Sequence, residues 1–160
     1  MSLKIVGLGH VARGDDGVGL RVIEALRVQQ LPADVSLLCA SDGAALLELL
    51  EPESGFVLVD AVADPEHIGR LHILEPAALR VGAGPARRSG TSSHALGVAE
   101  SLGIALALEQ VDARRVKLLG VGIDPARCRS LCTELSPEVR AAIAPASLEA
   151  VRIAARLRSH

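Results

Sequence analysis

The sequence predicts an α/β fold, namely a three-layer αβα sandwich built around a five-stranded, mostly parallel sheet. Short aliphatic runs alternate along the chain with segments whose apolar residues recur at helical spacing, and this order is typical of a parallel sheet covered by helices. The chain has no Trp or Tyr and a single Phe, Phe56. Its core must therefore consist of Leu, Val, Ile and Ala, as in many buried parallel strands.

The predicted elements can be placed along the chain from these patterns. The strands are expected at residues 3–6, 35–39, 55–59, 68–74 and 116–121, and the helices at residues 16–30, 44–50, 91–110 and 136–158. The fourth strand alternates weakly, which favours a sheet edge with His72 facing solvent. Pro145 predicts a kink or break in the last helix. A hydroxyl among residues 91–93 is expected to cap the third helix, so that His94 lies at its first turn.

Length, charge and cysteine count narrow the class of protein. A chain of 160 residues without a linker or repeat is expected to form a single domain, residues 1–160. The net charge of −2, with both signs interspersed, argues against partners such as nucleic acid or a membrane surface. No apolar run is long enough to span a bilayer, and no signal peptide precedes the first strand. Three cysteines do not make a disulfide framework. We therefore expect a cytoplasmic protein, and a monomer.

Two of the cysteines, Cys128 and Cys132, have the spacing of neighbours on one face of a helical turn. Such a pair can hold a metal ion, but no His stands near them in the sequence. Burial as small apolar side chains is the better interpretation.

The first loop has the most informative sequence. Residues 3–20 are typical of a strand, a tight loop and a helix, and in open parallel sheets such a loop lies at the carboxyl edge, where sites form. Gly7 and Gly9 resemble a dinucleotide-binding fingerprint, but Ala12 replaces the third glycine. Asp15 and Asp16 would also repel a phosphate. The structural interpretation is a helix N-cap, which applies more to Asp15 than to Asp16 because one helix needs one cap.

Three polar residues are predicted to converge on that edge. Asp16 follows the first strand, Asp60 ends the third, and His94 opens the helix after the fourth. If the first and third strands are neighbours, both carboxylates lie on the same edge and His94 can approach them. Two carboxylates and one imidazole form a three-ligand site suited to nickel, zinc or iron. Taken alone, each of these residues is more often part of a turn or a helix cap. The occurrence of all three at one edge of the sheet is what favours a site.

A resemblance to a known family rests on several short motifs in a fixed order. These are GLG at 7–9 with GDDGVG at 14–19, SDG at 41–43, VDA at 59–61, SHALG at 93–97 and GVGI at 120–123. In these motifs the sequence resembles the hydrogenase maturation endopeptidases, which trim the C-terminal extension from the large-subunit precursor of nickel-iron hydrogenases. The similarity covers nearly the whole chain.

The resemblance implies a set of site residues and a substrate. Asp16, Asp60 and His94 match the family's metal-binding and catalytic positions, and Asp42 and His10 would take part in substrate recognition. His10 stands where the family usually carries Asn, so it is an additional ligand, a hydrogen-bond partner or a tolerated change. The implied partner is the hydrogenase large-subunit precursor. Nickel would be supplied by that precursor, and no organic cofactor is implied.

Two alternatives stay open at this level. One is a non-catalytic α/β module that binds a nucleotide or metabolite at the Gly7 to Gly9 turn. The other is a maturation factor that binds the precursor without cleaving it. Under the resemblance, the loop around Arg87 and Arg88 is a candidate for holding the precursor's extension.

Overall fold

The computed structural model describes residues 1–79 and 97–159 of the chain. One sheet contains five strands: β1 (Ser2–Leu8), β2 (Val35–Ala40), β3 (Ser54–Ala63), β4 (Leu71–Leu74) and β5 (Val116–Ile123). Their order across the sheet is β2-β1-β3-β5-β4. Strands β2, β1, β3 and β5 pair in parallel, and β4 pairs with β5 in the antiparallel sense. The prediction of a five-stranded, mostly parallel sheet is confirmed.

Helices lie on both faces of the sheet. The α-helices of the described residues are α1 (Val18–Arg27), α2 (Gly43–Leu49), α3 (Val98–Ala107) and α4 (Pro137–Arg158). Short 3₁₀-helices occur at Gly14–Gly17, Pro76–Leu79, Ala113–Arg115 and Pro125–Cys128. Because successive side chains of a strand point to opposite faces, Ile5 joins the core under α1 and α4, and Val6 joins the core under α2 and α3. The three-layer αβα architecture follows.

The ends of two predicted helices differ from the sequence prediction. The first helix was expected over residues 16–30, but a 3₁₀ turn at Gly14–Gly17 precedes α1, which spans Val18–Arg27. The third helix was expected to begin at residues 91–94, but α3 begins at Val98 with Gly97 as its N-cap. The hydroxyl cap predicted for residues 91–93 is therefore wrong. Gly97 donates its N–H to the Glu100 side chain instead, at 3.3 Å.

Two predictions for single residues are also corrected. His72, expected to face solvent, is half-buried, and its Nε2 lies 2.9 Å from Asp64 Oδ2. The break predicted at Pro145 is wrong, since α4 is continuous from Pro137 to Arg158, and a kink there stays a prediction. Two residues after Pro145, the Ser147 hydroxyl donates to the carbonyl of Ile143 at 2.8 Å.

Two glycines bring α1 close to the sheet. A Cβ on Gly7 would lie 2.5 Å from the carbonyl oxygen of Gly19, and a Cβ on Gly19 would lie 2.6 Å from the carbonyl oxygen of Leu8. Backbone therefore packs directly on backbone where β1 leads into the first loop. This close approach places the 3₁₀ turn at Gly14–Gly17 directly over the carboxyl ends of β1 and β3.

Candidate active site

Asp16 and Asp60 meet at the carboxyl edge of the sheet. Asp16 belongs to the 3₁₀ turn after β1. Strand β3 runs on to Ala63, so Asp60 lies inside it rather than at its end as predicted. The last β1–β3 pair is Gly7 with Val59, so Asp60 is the first β3 residue beyond the pairing with β1. That position leaves its side chain half-buried below the first loop.

The first loop closes around Asp16. Gly9 has a φ of +119°, and a Cβ there would overlap the Asp16 carbonyl oxygen. The backbone N–H of His10 donates to Asp16 Oδ2 at 3.2 Å, which fixes one carboxylate oxygen. Protein atoms thus occupy the space beside Gly7 and Gly9. The structure gives these two glycines a packing role.

The charge of Asp16 makes ionisation of Asp60 less favourable. Burial and the nearby charge of Asp16 raise the pKa of Asp60 to about 7, although Asp60 Oδ1 accepts a hydrogen bond from the Ala61 N–H at 2.8 Å. Burial also raises the pKa of Asp16, and the bond from His10 and the charges of His10 and Arg13 partly offset this. Like charges held together in a low-dielectric pocket favour a bound cation. A divalent metal ion fits this donor set because it would favour the ionised form of both groups.

His10 lies at the mouth of the site. Its side chain is exposed, and its contact with Asp16 runs through the backbone N–H. The His10 carbonyl accepts from Arg13 N–H at 3.2 Å, which shapes the turn that follows.

Asp15 has a role that the sequence analysis missed. It does not cap α1, whose N-cap is Gly17. It is 2% exposed, and its two carboxylate oxygens accept from the backbone N–H and the hydroxyl of Ser136, at 2.7 and 2.8 Å. Ser136 is the N-cap of α4, so Asp15 ties the turn that carries Asp16 to the start of the last helix. The Ser-Pro-Glu sequence at 136–138 reveals a helix start, but no local pattern reveals this partner.

Asp42 lies on the same edge, after β2. It is the N-cap of α2, and its Oδ1 accepts from the Ala45 N–H at 2.8 Å. This bond accounts for the carboxylate as a helix cap, and a part in substrate recognition stays a prediction.

The third predicted ligand, His94, lies outside the described residues, as do Arg87 and Arg88. Within residues 1–79 and 97–159, no three His, Cys, Asp or Glu side chains are arranged to hold a metal ion. The described part of the site therefore consists of the Asp16 and Asp60 carboxylates. The convergence of His94 on them stays a prediction.

The two cysteines predicted to share a helical face do not. Cys128 ends a 3₁₀-helix and is half-buried against the core and the Asp15–Asp16 turn, and burial raises the pKa of its thiol. Cys132 is exposed, and its backbone bonds to the first loop: Cys132 N–H to Ala12 O at 2.9 Å, and Gly14 N–H to Cys132 O at 2.6 Å. The prediction of burial is wrong for Cys132, because this bridge holds the segment on the surface.

Fold and site together define an α/β protein with paired carboxylates of raised pKa at the carboxyl edge of a parallel sheet, an arrangement able to engage a metal ion. A family model described as hydrogenase maturation protease matches residues 20–153. The chain belongs to this family and is a peptidase, which confirms the resemblance seen in the sequence motifs.

Solved structures of the same type agree with this family. The hydrogenase maturating endopeptidase HybD from E. coli is 26% identical, with a TM-score of 0.72 over 99% of this chain and 93% of that one. The hydrogenase 2 maturation peptidase from a Thaumarchaeota archaeon is 27% identical, with a TM-score of 0.60 over 95% and 97% of the two chains. The [NiFe] hydrogenase maturation protease HybD from Thermococcus kodakarensis, at 20% identity and a TM-score of 0.63 over 96% and 99%, shares the fold.

Two further results complete the comparison. A search of curated proteins finds no match to this sequence. None of the helices in the described part of the chain has the length and apolar character needed to cross a bilayer.

Proposed function

We propose that this protein is a metal-dependent, aspartic-type endopeptidase that removes the C-terminal extension of a nickel-iron hydrogenase large-subunit precursor after nickel insertion. The observation that carries the proposal is the pair Asp16 and Asp60, in which burial and the charge of Asp16 raise the pKa of Asp60 to about 7. A bound cation would make the ionised form of both carboxylates favourable. In the proposal, that cation is the nickel ion of the substrate.

The proposed mechanism is hydrolysis at a site that substrate metal completes. Asp16, Asp60 and His94 bind the nickel of the precursor, and His10 and Asp42 contact the polypeptide around it. Water adds across one peptide bond, with its hydroxyl bonding to the carbonyl carbon and its proton going to the amide nitrogen that leaves. The ion or a carboxylate polarises the water. Because the same residues would bind nickel and act in cleavage, the precursor would be cleaved only after nickel has been inserted.

The cleavage function is tested by a processing assay read by intact mass. Nickel-loaded and nickel-free precursors are each incubated with the unmutated protein and with Asp16→Asn, Asp60→Asn and His94→Ala. Loss of a C-terminal peptide only from the nickel-loaded precursor, and only with the unmutated protein, is the expected result. Asp112→Asn is the matched control, since it also removes one carboxylate but lies beside Arg114, away from the site.

The assay also separates the alternatives. A precursor-binding factor without cleavage activity would bind the nickel-loaded precursor and leave its mass unchanged. Equal cleavage of the nickel-free precursor would contradict the proposed role of the metal.

Localisation and assembly are proposed on the same basis. We propose a cytoplasmic monomer formed by one domain over residues 1–160. The location follows from the proposed function, because the protein must contact the precursor before the hydrogenase large subunit is mature. Sedimentation of the purified protein tests the monomeric state.

A further inference from the structure

An exposed apolar surface borders the candidate site. The segment after the Pro125–Cys128 turn crosses the first loop, and the bridge between Cys132 and the Ala12–Gly14 backbone holds it there. Four apolar or weakly polar residues face solvent along this bridge: Val11, Ala12, Leu131 and Cys132. We call these four residues the apolar rim. Leu131 is 85% exposed and Val11 is 40% exposed.

The rim is fixed relative to Asp16. A Cβ on Gly17 would lie 2.9 Å from Val11 Cα and 3.1 Å from the His10 carbonyl oxygen, so Val11 packs against the residue next to Asp16. On the far side, the Arg21 guanidinium donates to the Thr133 carbonyl at 3.0 Å and anchors the residue after Cys132. The rim therefore presents its side chains from a backbone that is held on both sides.

Other exposed aliphatic side chains do not border Asp16. Val28 follows α1 and Leu148 lies on α4, each exposed singly as is ordinary for a globular protein, and Ile104 and Leu108 are exposed one turn apart at the end of α3. Contiguous exposed apolar residues beside a site are typical of an interaction surface.

We infer that the apolar rim is the docking surface for the polypeptide around the metal of the precursor. The inference rests on the proposed function. If Asp16 binds a metal ion that is held in the precursor, the precursor surface around that ion must contact the residues next to Asp16. The rim borders it directly through Val11 and Gly17. The occupant is therefore an apolar side chain of the precursor close to its metal, and its burial on the rim adds to substrate affinity.

The test compares Leu131→Ser with Val28→Ser in steady-state processing of nickel-loaded precursor. Both side chains are almost fully exposed, at 85% and 88%, but Val28 lies at the far end of α1. Leu131→Ser is expected to raise KM about ten-fold with kcat unchanged, as removal of a leucine buried on binding typically does. Val28→Ser is expected to leave both constants unchanged, and Leu131→Met, which keeps the apolar surface, is expected to restore KM.

The outcomes distinguish this inference from the proposed function. If the unmutated protein cleaves and Leu131→Ser has the same KM as Val28→Ser, the rim is not a docking surface although the function holds. If the unmutated protein does not cleave nickel-loaded precursor, the proposed function itself fails. Equal thermal midpoints for the three variants confirm that all are folded, as expected for exposed positions.

Discussion

Asp60, at the carboxyl edge of the sheet, has a different electrostatic environment from the acidic side chains at the amino edge. At the amino edge, Lys117 Nζ lies 2.6 Å from Glu75, and Arg158 contacts both oxygens of Asp34 at 2.6 and 2.8 Å. At the carboxyl edge, Asp60 faces another carboxylate, Asp16, and its pKa rises to about 7. The acidic side chains at the amino edge have basic partners within the chain, whereas the charge that lies next to Asp60 is that of another carboxylate. This difference supports the proposal that the reaction takes place at the carboxyl edge.

Cavity size gives a different ranking of the two edges. Two cavities, of about 460 and 750 Å³, lie at the amino edge. Among the described residues that line them, none belongs to the predicted site. The electrostatics favour the carboxyl edge and cavity volume favours the amino edge. Under the proposed function the two need not agree, because a site completed by a large protein substrate need not be a deep pocket.

Removing one carboxylate of the pair should have the largest effect on function. Asp60→Asn keeps the shape of the side chain and removes a proposed metal ligand. Processing of nickel-loaded precursor should fall by more than about 100-fold, since even outer partners of metal ligands are worth 10- to 100-fold. Initial rates measured beside Asp112→Asn check this, and comparable rates for the two variants would place the reaction elsewhere.

The pH dependence of stability should reveal the same carboxylate in the metal-free protein. Its pKa is about 7 in the folded state and about 4 when unfolded, so the folded state binds more protons between these values. Stability should fall as pH rises, by roughly 2 to 3 kcal/mol from pH 5 to pH 8. Urea unfolding at both pH values measures this difference. Asp60→Asn should flatten the slope and be the more stable protein at pH 8, and an unchanged slope in that variant would assign the effect to other groups.

The glycine that brings α1 onto the sheet should be intolerant of a methyl group. Gly19→Ala places a Cβ against the carbonyl oxygens of Leu8 and Val59, and overpacking of this kind costs about 1 to 3 kcal/mol. Gly103→Ala is the matched control, because a Cβ there meets no atom within 4 Å and a helix favours Ala over Gly by about 1 kcal/mol. Thermal unfolding compares the two variants. If both respond alike, the close approach at Gly19 is not tight.

Removing part of the bond between Asp15 and Ser136, which holds the turn that carries Asp16, should have a moderate effect. Ser136→Ala removes the hydroxyl bond to the buried Asp15 and keeps the backbone bond, at a cost of about 1 kcal/mol or slightly more. Because Asp15 precedes Asp16, processing should also slow more than in Ser159→Ala, whose hydroxyl bonds a carbonyl near the end of the chain. Urea unfolding and processing rates measure both effects. A loss of stability without a loss of rate would show that this bond is purely structural.

A substitution at the amino edge should have the smallest effect on stability and processing. Lys117→Met removes the partner of Glu75, whose side chain is 62% exposed, and exposed ion pairs contribute less than about 1 kcal/mol. Processing should be unchanged. The measurement is urea unfolding at low and high salt. A slowed reaction in this variant would mean that the two edges are not separate in function.

Much of the fold was predictable because it depends on local patterns. Aliphatic runs and helical spacing place the five strands, α1, α2 and α4 to within a few residues. The motif around Asp16 and the position of Asp60 after a buried strand predict that both belong to one edge. The start of α3 was not predictable in the same way. Its N-cap is Gly97, and the hydroxyls at 91–93 were an equally good local signal.

By itself, the sequence determined the alternation of strands and helices, the family, and the placement of Asp16 and Asp60 at one edge of the sheet. Only the tertiary structure decided that Asp60 is the first residue of β3 beyond its pairing with β1. It also decided that Asp15 is hydrogen-bonded to Ser136, 121 residues away in sequence, and that His72 contacts Asp64 instead of facing solvent. The physical reason is the distance along the sequence over which each interaction acts. Periodicity and capping act over a few neighbouring residues, whereas the partner of a buried carboxylate and the pKa of a like-charged pair depend on groups that only packing brings together.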